Sequence, residues 1–202
     1  MTVTKTLSLV GPSRPGSVTL AAVLQLLLAV LQLLLATTFL IMPTLAYLYG
    51  ARAQAAAEAE VVRQGYPADV LARNNVNFGE GAVGLVLAVA IAVALVALAV
   101  LNLAGNPAGR IGSWIFQPLL LIAGALIMSR QVFTARFLAS AFKNSGDATL
   151  AGINVKAFVD AATGAYPAWF PYVVNTRFVL ATLGSLLIII LLAVPSASAW
   201  FR

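Results

Sequence analysis

Four stretches of this chain contain no charged residue: Pro15 to Ala51, Gly81 to Gly109, Ile111 to Ser129 and Phe178 to Phe201. A run of about 20 apolar residues, rising about 1.5 Å each, covers a hydrocarbon layer of about 30 Å. Each gap is therefore long enough to hold a membrane-spanning helix. Composition agrees, with 61% hydrophobic and 9% charged residues, where an ordinary soluble domain carries about a quarter charged. The predicted fold class is all-α: an integral membrane four-helix bundle with two large, partly helical loops on one side.

Residues 1–17 read as a polar tail with Lys5, Arg14, Pro12 and Pro15, and residues 18–202 as a single membrane domain. Spans are expected at about 18–49, 80–103, 111–128 and 171–194, with loops at 50–79 and 129–170. The first span is longer than the apolar core of a signal peptide and is read as retained. It also exceeds the bilayer core, so it must tilt, kink or protrude, and Pro43 is the expected place because its ring removes a backbone donor. The run Arg52 to Arg63 has high helix propensity, and Gly65 can end that helix. Gly105, Asn106 and Pro107 predict a tight turn that sends the third span back antiparallel. That span, with Pro118 inside it, is expected to continue as helix to Lys143. There Val132, Phe133, Phe137 and Phe142 alternate with Arg130, Arg136 and Lys143, a mix suited to an interface. A short amphipathic helix is expected over Asn154 to Thr163, closed by Gly164.

Twelve Lys and Arg against six Asp and Glu give a net charge of +6. The basic residues are scattered singly without aromatic interleaving, so the balance points to anionic lipid headgroups and not to nucleic acid. No Cys and no His occur, which removes disulfides, thiol nucleophiles, zinc sites of the usual kind, haem held by His or Cys, and iron–sulfur clusters. No phosphate-binding glycine loop is present either. No catalytic, cofactor or metal residues are assigned. The acids do not form a pair by spacing: Glu58 and Glu60, two apart on a helix, do not share a face.

Orientation rests on four basic residues, Lys5, Arg14, Arg110 and Arg202, on the terminal side, against eight basic residues and all six acids in the longer loops. The short segments obey the positive-inside rule best, which favours cytoplasmic termini.

The sharpest pattern is a tandem heptad, Val23-Leu24-Gln25-Leu26-Leu27-Leu28-Ala29 followed by Val30-Leu31-Gln32-Leu33-Leu34-Leu35-Ala36. It places Ala22, Gln25, Ala29, Gln32 and Ala36 on one stripe, where small residues admit a neighbouring backbone and the amides can bond across the contact. Packing inside the protein's own bundle is the first expectation; a second copy or a membrane protein partner is the other. Gly84, Ala88 and Ala92 form a similar, weaker close-approach face. Glu80 and Arg177 are charges at or just inside span ends that open to the loop side, and a membrane-boundary ion pair between them is expected. The plainer alternative has Glu80 capping a helix and Arg177 snorkelling. Tyr166, Trp169, Phe170 and Tyr172 are expected as an aromatic belt at headgroup level. Tyr66-Pro67-Ala68 before the second span echoes Tyr166-Pro167-Ala168 before the fourth, a match short enough to arise by chance.

The opening Arg14-Pro15-Gly16-Ser17-Val18-Thr19, running straight into an Ala and Leu-rich span, resembles uncharacterised small four-helix membrane proteins of actinobacteria. The resemblance covers under a tenth of the chain and implies no activity. Two large loops on one side also resemble the layout of tetraspanins and claudins, but the cysteines of those families are absent, so nothing of their function is carried over. The expected role is a non-enzymatic accessory or scaffold subunit of a cell-envelope complex in the cell membrane, with multiple spans. The alternatives are a small oligomeric transporter or channel and, third, a lipid-interface enzyme.

Overall fold

The computed structural model describes residues 16–79 and 81–195, with side chains from Val23 onward. Among them there are helices and turns but no strand. Four helical segments are long and apolar enough to cross a membrane: Val23–Arg63, Ala82–Leu103, Pro107–Val132 and Phe170–Ala193.

Helix α1 (Gly16–Arg63) is a single helix of 48 residues with Pro43 inside it. The sequence separates a span ending near Tyr49 from a loop helix starting at Arg52; the structure joins them. Pro43 is buried. A proline inside a helix costs about 3 kcal/mol, so the packing on both sides of it must outweigh that. Gly65, at φ 89°, follows the helix end in the left-handed conformation that glycine adopts without penalty.

After the four-residue α2 (Val70–Arg73) comes α3 (Ala82–Leu103), which packs along α1 over most of its length. Helix α4 (Pro107–Ala123) starts at Asn106, whose side chain accepts a hydrogen bond from the Ala108 amide at 2.9 Å, with Pro107 in the first turn. Both choices suit a helix start, one meeting an orphan amide and the other lacking one. A π turn (Gly124–Met128) carries α4 into α5 (Ser129–Val132). The rod then breaks at Phe133 (φ −109°, ψ 31°) before α6 (Thr134–Lys143), so the helix expected to run through to Lys143 is interrupted once. Helices α7 (Ala148–Gly152) and α8 (Val155–Gly164) follow. The last rod consists of α9 (Phe170–Val179), a second π turn (Leu180–Gly184) and α10 (Ser185–Ala193).

The four rods pack side by side, α1 between α3 and the α9–α10 rod and α4 between the same two on the other side. Leu35, Ala36, Phe39, Ala92, Leu95, Leu120 and Ala181 form the centre of their shared core. The wide π turns face each other: a Cβ on Gly124 would lie 3.0 Å from the Cβ of Ala181, so glycine lets the two backbones meet there.

A second core lies at the other end of α1. Ala53, Ala57 and Val61, four residues apart on one face, pack with Leu71, Phe142, Leu150, Phe158 and Ala162. Both long connections therefore fold together as a cap on one end of the bundle. Gln64 ties the end of α1 to the start of α8: the Asn154 amide donates to its Oε1 at 2.8 Å, and its Nε2 donates to the Asn154 carbonyl at 3.3 Å. The Tyr-Pro-Ala echo turns out to be a repeated local turn. Val70 N–H donates to the Pro67 carbonyl at 3.2 Å and Phe170 N–H to the Pro167 carbonyl at 2.9 Å, and each turn opens a helix. Turn chemistry accounts for it without a repeat of larger units.

Candidate functional site

Two places in the fold gather polar side chains. The first is inside the bundle, near the turn between α3 and α4. Gln25, Ala29, Gln32 and Ala36 are all buried, on the face of α1 turned toward the other helices; the side chain of Ala22 is outside those described. Gln32 Nε2 donates to Ser113 Oγ at 3.1 Å, and Asn102 Nδ2 lies 2.9 Å from Ser113 Oγ and 3.2 Å from Gln32 Oε1. One side chain from each of three helices thus meets in a closed triangle, and all three are fully buried.

Backbone geometry makes the triangle possible. A Cβ on Gly109 would stand 2.8 Å from both the amide nitrogen and Oδ1 of Asn102, so only glycine lets α4 come this close. One turn further along α4, Gln117 is fully buried with no hydrogen bond to either end of its amide among the described residues, and Ser185 Oγ is in the same state. The sequence reading singled out Gln32 but missed Asn102, Ser113 and Gln117. For Ser113 and Gln117 the signal is a stripe of small and polar residues, Gly109, Ser113 and Gln117, at four-residue spacing on α4; Asn102 is the one polar side chain on α3.

Breaking the triangle has a measurable consequence. Interhelical hydrogen bonds between apolar helices average about 0.6 kcal/mol in coupling and reach about 1.7. A double-mutant cycle on thermal stability with Gln32→Leu and Asn102→Leu is expected to give a coupling in that range. Strict additivity would mean the three polar groups act independently.

The second place is a cleft of about 1000 Å³ between the bundle and the cap. Helix α3 packs along α1 and α4, but no extensive packing joins it to the first π turn or to α5. That leaves a side gap. Met42, Pro43, Gly84 and Ala88 line its bundle end; Arg130, Gln131, Asn175 and Arg177 line one wall; and Asn74 to Gly79 with Tyr166 form the roof. The roof is fixed from two directions. Tyr166 Oη donates to the Phe78 carbonyl at 2.8 Å, and Phe78 N–H donates to Gln54 Oε1 at 3.2 Å. Arg177 holds its guanidinium 4.4 Å from the centre of the Phe39 ring, a cation–π geometry. Its expected partner Glu80 lies outside the described residues.

The aromatic run divides. Tyr166 is buried in the cap core and stacks on Phe170, ring centres 4.0 Å apart. Trp169 and Tyr172 are 48% and 73% exposed, so these two carry the outward-facing part of the run.

The described acids each have a local partner. Glu60 takes two bonds from Arg63 at 2.6 Å, Asp69 pairs with Arg73 at 2.5 Å and Asp160 with Lys156 at 2.5 Å. Glu58 accepts from Gln54 at 2.7 Å and Asp147 caps α7 through the Thr149 amide at 2.7 Å. No group of three or more potential metal-binding acids occurs among the described residues. No protein-family model, curated protein or solved structure matches the chain.

Proposed function

We propose that the protein is a multi-pass membrane protein whose four-helix bundle sits in the bilayer with both loops on one side, and that it acts as a non-enzymatic accessory or scaffold subunit. The carrying observation is α1. One helix of 48 residues, about 72 Å at about 1.5 Å per residue, belongs to both the bundle core and the cap core. Such a helix fixes the height and rotation of the cap relative to the bilayer, which is what a docking platform in a cell-envelope complex requires. Engagement of the described acids in local pairs and caps also favours this reading over a lipid-interface enzyme, which needs carboxylates converging on one cleft. Cytoplasmic termini and a boundary pair between Glu80 and Arg177 belong to the same proposal.

Photo-crosslinking residues placed at Ala55 and Ala59, exposed on the cap portion of α1, test the role in native membranes. Discrete adducts are expected from these positions and not from Val93 or Leu119 on the outer faces of α3 and α4. Equal labelling from all four positions would reject the platform role. A second reading, a small oligomeric transporter, draws support from the polar triangle and Gln117 in the bundle interior, and it predicts discrete adducts between copies of this chain through Val93 or Leu119.

A further inference from the structure

The cleft between bundle and cap combines three properties on one surface. Its bundle end is apolar and open at the side, between α3 and α5. Its wall carries two guanidinium groups, Arg130 and Arg177, beside the amides of Gln131 and Asn175. Its one described acid, Asp160, already pairs with Lys156. Along the chain from Gly81 to Gly146 every charged residue is basic, so α5 and α6 bring positive charge alone to this level. Phe133 and Phe137 stand exposed between those charges, with the Arg136 and Arg130 guanidinium groups each 6.0 Å from the centre of one ring.

We propose that this cleft binds the headgroup of one anionic phospholipid, entering sideways from the bilayer, with Arg130 facing its phosphate. The inference rests on the membrane reading above. Guanidinium groups match phosphate through paired N–H donors, which ammonium groups do not. A volume of about 1000 Å³ suits a headgroup with the start of its chains, since small-molecule pockets run from about 300 to 1000 Å³. The side gap against Gly84 and Ala88 leaves the acyl chains in the apolar layer, where burying them in protein is unnecessary. A soluble phosphate compound would use the same wall but not the apolar end, which decides the assignment in favour of lipid.

The test uses the full-length protein purified in neutral detergent and read by native mass spectrometry after incubation with phosphatidylglycerol, phosphatidylcholine or glycerol 3-phosphate. One phosphatidylglycerol is expected to be retained in preference to phosphatidylcholine. Arg130→Gln should weaken retention about tenfold, the effect of losing one charge-assisted hydrogen-bonding group, whereas Arg52→Gln on the exposed cap helix should leave it unchanged. Arg177 is held against Phe39 and belongs to the proposed pair with Glu80, so Arg130 is the deciding position. Equal retention of both lipids, or retention indifferent to Arg130→Gln, would overturn the proposal. Displacement of the lipid by millimolar glycerol 3-phosphate would assign the site to a soluble phosphate and overturn it as well. A protein that stays soluble without detergent would instead sink the membrane reading, so the two failures are distinguishable.

Discussion

Phe158→Ala is expected to destabilise the cap by about 3–5 kcal/mol, the range for truncating a fully buried aromatic residue. Phe158 is fully buried. Its ring lies 6.3 Å from that of Phe78, edge on, and 6.1 Å from that of Phe142, so one side chain joins α8 to the roof of the cleft and to α6. Beyond Gly50, α1 faces this core with the short side chains of Ala53, Ala57 and Val61, which cannot extend into the space left behind. Hydrogen exchange localises the effect. Faster exchange is expected in residues 148–164 and in 52–63, with the part of α1 before Pro43 and all of α3 unchanged, because the bundle has a core of its own. Uniform acceleration throughout the chain would show that bundle and cap unfold as one unit, and an unchanged pattern would show that the cap core does not depend on this ring.

Much of this arrangement is legible in the residues, and the parts that are not have identifiable reasons. Charge-free stretches locate the four long helices, because a missing charge over about 20 residues is a strong signal. The Asn106-Pro107 turn and the Asn154 start of α8 are legible too, since capping chemistry is local. Continuity of α1 is not. Pro43 and Gly50 both argue locally for a break, and only packing against α3 and α8, far away in sequence, decides otherwise. The break at Phe133 is equally silent, because Val132-Phe133-Thr134 carries no Gly or Pro to mark it, only a modest drop in helix propensity. In the polar triangle, the heptad marks Gln32, but its partners depend on the rotation of α3 and α4 about their axes, which periodicity in nearly all-apolar helices leaves undetermined. The cleft is a gap between elements and leaves no mark on any one of them.

Gly50→Ala decides which of two opposing effects governs the middle of α1. In an isolated helix the change is stabilising by about 1 kcal/mol, because alanine is the better helix former. Here a Cβ on Gly50 would stand 2.5 Å from the Gly79 Cα and 3.2 Å from both the Gly79 nitrogen and the Phe78 carbonyl oxygen. All three are backbone atoms, so no side chain can swing away; the 78–79 segment itself must move. That movement strains the Tyr166 and Gln54 hydrogen bonds to Phe78. Overpacking costs about 1–3 kcal/mol and each hydrogen bond weakened about 1 kcal/mol, which together exceed the helix-propensity gain. Net destabilisation of about 1–3 kcal/mol is expected. Gly164, at the end of α8, supplies the comparison, since a Cβ there meets nothing within 4 Å. Gly164→Ala should be neutral or slightly stabilising. Thermal unfolding of the two variants in the same detergent reads the difference directly, and a Gly50→Ala protein as stable as Gly164→Ala would mean that α1 and the roof of the cleft do not touch at this point.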